Sequence, residues 1–436
     1  MKNNYINLVA ANMGYGHQRP AHALRHLSGG EVIIINDYEG IPDWEKDYWK
    51  RNLESYEKIS RLKKIPILGQ GIFKIMDVFQ KIKPFYPSRD LSRPTIQQHY
   101  FYSYIKKGLG LDLIKKIDDP KKPFVTTFFV AAHMAEYHNY SGDIYCVVCD
   151  SDASRAWAPL NTRASRIKYF LPNDKLKERF LMYGIKEENL FVTGFPLPKE
   201  NIGDAEEKEI IKEDLARRIF RLDGEKKYQE EYKALIKSIL PDFKSDDSGA
   251  KKYAGPLTIS FAVGGAGAQK ELGAVILKSL ALEIKRGNIS LNLIAGAREE
   301  VRDYFLEQLE DNALEEGRGV KVIFSKTKDE YFSLFNKTIR ETDILWTKPS
   351  ELSFFSALAL PIIIASPVGS QEDFNRSWLL NIGAGFDSLD PKYADEWLFD
   401  LLKSGKLARS AVDGFLNAES NGVYNIEKVL GISFEK

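Results

Sequence analysis

The chain has 436 residues, and its 62 lysines and arginines nearly balance 61 aspartates and glutamates, leaving a formal charge of +1. At ~100–200 residues per domain this length predicts two or three domains, and 44% hydrophobic with 28% charged residues is a globular balance. Near-neutral charge argues against a nucleic-acid partner, two cysteines exclude a disulfide framework, and no apolar run of ~18 residues reads as a membrane span.

The apolar stretch that follows Met1 is too short for a signal peptide, so the expectation is a cytoplasmic protein. Tyr5 to Ala11 reads as a strand, Asn12 to His17 as a glycine loop, and Arg19 to Leu27 as a helix. Pro20 fits the first turn of that helix, where a missing N–H costs nothing. Glu31 to Asn36 then reads as a buried strand, and strand, glycine turn, helix, strand opens a parallel α/β sheet. Further strands are predicted at Phe124–Phe129, Ile144–Cys149, Arg166–Leu171 and Leu190–Thr193.

A mostly helical insertion interrupts this pattern from about 43 to 110. Basic residues such as Lys63, Lys64, Lys74 and Arg89 outnumber acids there, and they alternate with Ile72, Phe73, Phe79, Phe85 and Tyr86. Two readings stand: a helical subdomain with its apolar stripe inward, or a surface for an anionic membrane or an acceptor. Residues 200–254 form a charged interdomain segment containing the loop signal Asp246-Asp247-Ser248-Gly249. A second α/β series restarts at 255, with a strand over Leu257–Val263, a glycine loop and a helix over Lys270–Ile284. Strands at Ser290–Ala295, Val320–Phe324, Asp343–Trp346 and Pro361–Ala365 follow. The predicted organisation is a first domain over 1–199, the charged segment, and a second domain over 255–436.

Neither glycine loop completes G-x-G-x-x-G or a P-loop, because Arg19 and Lys270 occupy the third glycine position and no Gly-Lys-Ser/Thr follows. Dinucleotide oxidoreductase and NTPase chemistry is thereby excluded. A glycine-rich strand-to-helix turn still aims free N–H groups and a positive helix dipole at anions. Cys146 and Cys149 lie on opposite faces of a predicted strand with no further ligands nearby, so they read as buried thiols and no metal site is expected. His133 and His138 lack a partner pattern and read as surface loop histidines, with a place lining the acceptor side as the alternative for His133.

Five segments carry a resemblance. Gly14-Tyr15-Gly16-His17-Gln18-Arg19-Pro20-Ala21-His22-Ala23-Leu24 is similar to the G-x-G-H-x-x-P-A-x-A-L opening of one glycosyltransferase group. That group holds the UDP-N-acetylglucosamine transferase that completes lipid II and the monogalactosyldiacylglycerol synthases. Val192-Thr193-Gly194-Phe195-Pro196 resembles the group's V-T-G-x-P, and Gly264-Gly265-Ala266-Gly267-Ala268-Gln269 its G-G-S-x-G-A loop. Asp343 to Pro349, with Thr347-Lys348, resembles D-x-x-x-T-K-x-G, and Gln371-Glu372-Asp373-Phe374-Asn375 resembles G-Q-E-x-x-N.

The resemblance implies the GT-B architecture, two Rossmann-like α/β domains facing a central cleft, with the acceptor on the first and a nucleotide sugar on the second. It implies an inverting transfer from a UDP-linked sugar to an acceptor hydroxyl, on a lipid or another molecule, with no cofactor beyond the donor. Donor contacts would fall on Gly264, Gly265, Ala266, Gly267, Ala268, Gln269, Lys348, Glu351, Gln371, Glu372 and Asn375; Gly14, Tyr15, Gly16 and Trp157 would line the acceptor side. Catalytic candidates are His17, whose near-neutral pKa suits a base, and Asp150, at the C-terminal end of a predicted strand. His17 is a base or a shaper of its loop; Asp150 is a base, an orienter of His17 or a helix cap. An anionic membrane surface is a further expected partner, placing the protein peripherally at the inner face.

The sequence also departs from the group. The glutamate that grips the ribose in those enzymes aligns with Ser356, while Glu351 lies nearby but out of register. The glycine after T-K-x is Ser350, and Gly369 precedes Gln371 by one residue too many. These changes touch the nucleoside end, and they keep two alternatives in view: a UDP-sugar epimerase of the same fold, or a nucleotide-sugar-binding protein without turnover.

Overall fold

The computed structural model describes residues 4–62, 82–244, 247–264, 267, 269–367 and 369–432, with 53–62, 247, 248 and 250 described by their backbone. Most of the basic insertion's core, 63–81, lies outside the described residues, and so do Lys63, Lys64, Lys74, Ile72, Phe73 and Phe79. Contacts divide the chain into two units, Met1–Pro196 with Val368–Asn375 and Asn421–Lys436, and Leu197–Pro367 with Arg376–Ser420.

The first unit is built on six parallel strands: β1 (Asn7–Ala10), β2 (Ile33–Ile34), β3 (Phe124–Thr126), β4 (Ile144–Val147), β5 (Lys168–Leu171) and β6 (Leu190–Val192). Every residue of β3 and β4 is buried, as expected where helices cover both faces of a parallel sheet. The order β2-β1-β3-β4-β5-β6 is the flavodoxin-like variant of a doubly wound sheet with one strand added. Its direction of winding reverses between β1 and β3, and loops leaving those two strands flank the crevice such sheets use for ligands.

The second unit has β7 (Leu257–Ala262), β8 (Ile289–Gly296), β9 (Val320–Phe324), β10 (Ile344–Thr347), β11 (Ile362–Ile364) and β12 (Gly385–Asp387). Their order, β12-β11-β10-β7-β8-β9, is the Rossmann order read from the far edge, with its reversal between β7 and β10. The expected α/β class with two doubly wound parallel sheets is therefore present.

Several boundaries differ from the sequence expectation for identifiable reasons. Gly14, at φ 108, turns the chain sharply out of β1, so the helix begins at Tyr15 and ends at Leu24. Pro20 consequently lies inside it and leaves the Gly16 carbonyl without its usual helical donor. The Phe124–Phe129 run was expected as one strand, yet β3 stops at Thr126 and a helix spans Phe129–Tyr137. Aromatic residues favour strands only where cross-strand neighbours exist, and here they pack around the helix start instead.

The segment expected between domains belongs to the second unit. In the helix Glu209–Leu222, Arg218 is wholly buried and donates to the carbonyls of Thr342, Leu358 and Ile339 at 2.9, 2.6 and 3.0 Å. Burial draws its pKa down to about 10, opposed by Asp214, so it stays cationic at neutral pH. Arg217 and Arg221 close on the buried Asp343 at 3.2 and 3.0 Å. The second contiguous domain also ends early, because the helix Gly422–Val429 returns to the first unit. Val423 and Ile426 enter the core formed by Leu8, Leu24, Val125 and Val147, and Asn425 donates to the Thr193 carbonyl at 2.8 Å.

Candidate active site

In the first unit the loop after β1 is held by side chains. Asn36 Oδ1 accepts from the Asn12 N–H at 2.8 Å, and Gln18 Nε2 donates to Asn12 Oδ1 at 3.2 Å. This sets Gly14, Tyr15 and Gly16 at the helix start, with Tyr15 buried and both glycines partly exposed. His17 is the third residue of the helix. Its Nδ1 lies 2.7 Å from the carbonyl oxygen of Thr127, which directly follows β3. A carbonyl only accepts, so Nδ1 carries the proton and Nε2 is the basic nitrogen of the neutral ring. The Thr127 hydroxyl returns a hydrogen bond to the His17 carbonyl at 2.5 Å. The ring meets Phe128 edge-on at 5.1 Å and lies 6.2 Å from the ring of Trp157.

Trp157 ends the short turn Arg155–Trp157, which three buried donors fasten. His133 Nε2 donates to the Ala156 carbonyl at 3.0 Å, while Arg155 Nη1 and Gln98 Nε2 donate to that of Ala158 at 2.9 and 2.5 Å. His133 is thus no surface loop residue: it sits on a helix, wholly buried and stacked on Phe101. Burial draws its pKa down to about 4, and it is neutral at physiological pH.

Asp150 stands three residues beyond β4, partly exposed, at the expected C-terminal end of the strand. Asn375 Nδ2 donates to its Oδ1 at 3.0 Å. Asp152, two residues on, is buried against Arg179 at 2.7 Å, and burial raises its pKa although Arg179 opposes this. Of the two carboxylates at this strand end, Asp152 is the one paired with Arg179 and Asp150 the one that accepts from Asn375. The orienting partner at His17 Nδ1 is the Thr127 carbonyl. Cys146 and Cys149 are buried free thiols, as expected, and burial pushes the Cys146 thiol up.

In the second unit the loop after β7 begins at Gly264, while Gly265, Ala266 and Ala268 lie outside the described residues. A Cβ on Gly264 would come within 2.8 Å of Lys348 Cε, so the Lys348 stem occupies the space a side chain would take. Gly267 has φ 70 and returns its N–H to the Gly264 carbonyl at 2.7 Å. A Cβ there would reach Arg298 Cδ at 3.4 Å. Gln269 Nε2 ties the loop to the Ser366 carbonyl at 2.9 Å. Lys348 follows β10 and Arg298 follows β8, so cationic residues flank the glycine positions from both neighbouring strands. Arg298 escaped the sequence reading; its place just beyond a strand end was the available signal.

Glu351 opens the turn Glu351–Leu358 and is buried. Ser356, aligned with the ribose glutamate, is fully buried; its carbonyl abuts Gly414 of the helix Lys406–Asn417. Gln371, half-buried, and Glu372, buried, begin the helix Ser370–Asn381, in which Asn375 is wholly buried. By contacts Gln371, Glu372 and Asn375 count with the first unit, and Gly264, Gly267, Gln269, Lys348 and Glu351 with the second. Among the described residues no cluster of histidine, cysteine, aspartate and glutamate forms a metal site, and no helix is long and apolar enough to cross a membrane.

The processive diacylglycerol beta-glucosyltransferase of Bacillus cytotoxicus is 23% identical over 398 residues, covering 88% of this chain and 82% of that protein. The likeness is to a glycosyltransferase. It spans most of the chain and agrees with the motif resemblance to the GT-B group. A family profile described as a domain of unknown function (DUF6938) matches residues 299–429. Among solved structures, the S. aureus MnaA–UDP complex aligns over 100% of this chain and 99% of its own at 13% identity and a TM-score of 0.48. MurG of Acinetobacter baumannii aligns over 98% and 99%, also at 13% identity, with a TM-score of 0.46.

Proposed function

We propose that this protein is an inverting glycosyltransferase of hexosyltransferase type that moves a sugar from a UDP-linked donor to an acceptor hydroxyl. The observation that carries the reading is the His17–Thr127 pair, which fixes the tautomer a general base needs. In the reaction His17 Nε2 removes the acceptor proton as the hydroxyl oxygen attacks the anomeric carbon, and the bond from that carbon to the diphosphate breaks. Asp150 offsets the positive charge that grows on the sugar ring and the imidazolium. The diphosphate takes the departing electron pair, and Lys348 with the loop from Gly264 to Gln269 stabilises it. Gln371 and Glu372 hold the sugar hydroxyls. The proposal assigns the leaving charge to Lys348 and the glycine loop and includes no metal or other cofactor.

The acceptor is proposed to be a membrane-borne lipid, in keeping with the diacylglycerol in the relative's name. In the described part of the insertion, Ile96 and Tyr86 are 76% and 72% exposed, and apolar side chains among lysines suit an anionic membrane surface. The proposal includes peripheral association with the inner face of the membrane. Sedimentation with anionic vesicles should show salt-sensitive binding, reduced by charge reversal at Lys63, Lys64 and Lys74; no sedimentation at low salt would favour a soluble acceptor.

A second reading, left open by the replacement of the ribose glutamate with Ser356, is a degenerate member of the group that lacks turnover. Assaying UDP release from UDP-sugars with and without lipid extract tests both. Release that requires lipid supports transfer, release with an epimerised free sugar identifies an epimerase, and tight binding without release identifies a binding protein.

A further inference from the structure

The motif resemblance puts Asn375 among the sugar contacts, but its side chain is committed elsewhere. Both ends of its amide meet the segment that leaves β4. Nδ2 donates to Asp150 Oδ1 at 3.0 Å, and Oδ1 accepts the N–H of Ser151 at 2.8 Å. Asn375 is 0% exposed. The same segment is fastened from its other side, where Asn173 Nδ2 donates to the Ser151 carbonyl at 3.1 Å. Asn173 is itself fixed, because its Oδ1 caps the helix Asp174–Met182 through the Leu176 N–H at 2.9 Å.

An amide held at both ends is a rigid spacer. Donation from Nδ2 to a carboxylate is charge-assisted, stronger than a neutral bond and selective for one carboxylate orientation. Acceptance from Ser151 N–H fixes the backbone next to that carboxylate. Gln371 and Glu372 lie four and three residues before Asn375 in the same helix, so the residue that holds the carboxylate shares one element with the proposed sugar-holding residues.

We propose that Asn375 is a positioning residue that aims the Asp150 carboxylate and does not itself touch the sugar. This rests on the catalytic role given to Asp150 above.

The test is a mutant cycle with two readouts, steady-state UDP release and calorimetric affinity for the UDP-sugar. Asn375→Ala removes both bonds. Asn375→Asp keeps the size and an acceptor for the Ser151 N–H but sets a second carboxyl against Asp150, which repels that carboxylate or shares its proton; circular dichroism establishes that each variant is folded. Both should lower kcat roughly tenfold to a hundredfold, the scale of a lost charged hydrogen bond, with UDP-sugar affinity and donor KM unchanged. In an Asp150→Asn background Asn375→Ala should cost nothing further, since residues acting through one group are not additive. Weakened UDP-sugar affinity in either variant, or a full additional loss in the Asp150→Asn background, overturns the proposal. Wild-type turnover in Asp150→Asn would instead overturn the role of Asp150, and with it the purpose assigned to Asn375. If no nucleotide sugar is turned over at all, the transferase reading fails and the affinity measurement alone decides whether Asn375 touches the sugar.

Discussion

The two sheets present the same feature, a glycine turn leaving the strand at which the winding reverses, and equip it in opposite ways. After β1 the turn is fastened by Asn12, Asn36, Gln18 and Thr127, and it delivers one imidazole with a defined tautomer. After β7 glycines stand where a side chain would collide: a Cβ on Gly264 would meet the Lys348 stem, and one on Gly267 would meet Val301 and touch Arg298. A proton acceptor must point one atom in one direction, whereas a diphosphate is best met by many N–H groups and diffuse positive charge. On the proposed reading, one topology would serve proton handling in one unit and anion binding in the other, with the residue types at the turn making the difference.

The most damaging way to break this contrast is His17→Ala. Loss of a general base should reduce kcat by ~10²–10⁴-fold, while calorimetry should show UDP-sugar affinity unchanged. A parallel fall in affinity would put His17 in the donor site and erase the distinction.

The next largest effect concerns the wall behind the first turn. His133 has a folded pKa of about 4, below the unfolded value of about 6.5. The unfolded chain therefore binds the extra proton first, so the contribution to stability is complete above about pH 6.5 and is lost as pH falls to about 4, by roughly 3 kcal/mol. Glu45 runs the other way, since burial raises its pKa to about 6 and its neutral form is the one that folding favours. The measurement is accordingly a difference: denaturant unfolding of His133→Asn should show a smaller loss between pH 6.5 and 4 than the wild type. Identical pH slopes would mean that His133 does not titrate on unfolding.

Lys348→Ala tests the second turn. It should weaken UDP and UDP-sugar alike by about 1.5–3 kcal/mol, the range of a hydrogen bond to a charged group, with the fold intact by circular dichroism. A loss confined to kcat would make Lys348 part of the proton machinery and reverse the comparison. The gentlest test is Thr127→Val, which keeps the carbonyl that holds His17 Nδ1 and removes the hydroxyl bonded to the His17 carbonyl. It should cost about 1 kcal/mol of stability and move kcat only a few-fold; a loss as deep as that of His17→Ala would mean the hydroxyl itself takes part.

Much of this was legible in the sequence because it is local. The glycine turns, the buried strands and Asp150 at a strand end are written in adjacent residues, and periodicity reveals them. Arg218 was not legible, since a charged helix reads as solvent-facing unless distant carbonyls, here those of Ile339, Thr342 and Leu358, are known to need donors. His133 misled for the same reason: its burial depends on Phe101, 32 residues away, and on the turn at Ala156. Asn375 carried the right motif, but its hydrogen bonds to Asp150 and Ser151 join residues more than 200 positions apart, which no spacing rule reports.

The return of Gly422–Val429 to the first core has a consequence for biosynthesis. When residues 1–196 have left the ribosome, the cavity that Val423 and Ile426 fill beside Leu8, Leu24 and Val147 still lacks its occupants. At ~5–20 residues per second, translation needs on the order of tens of seconds more before that helix appears. Throughout that interval the nascent first unit carries an open apolar seam, the kind of transiently exposed surface that invites aggregation until the helix docks.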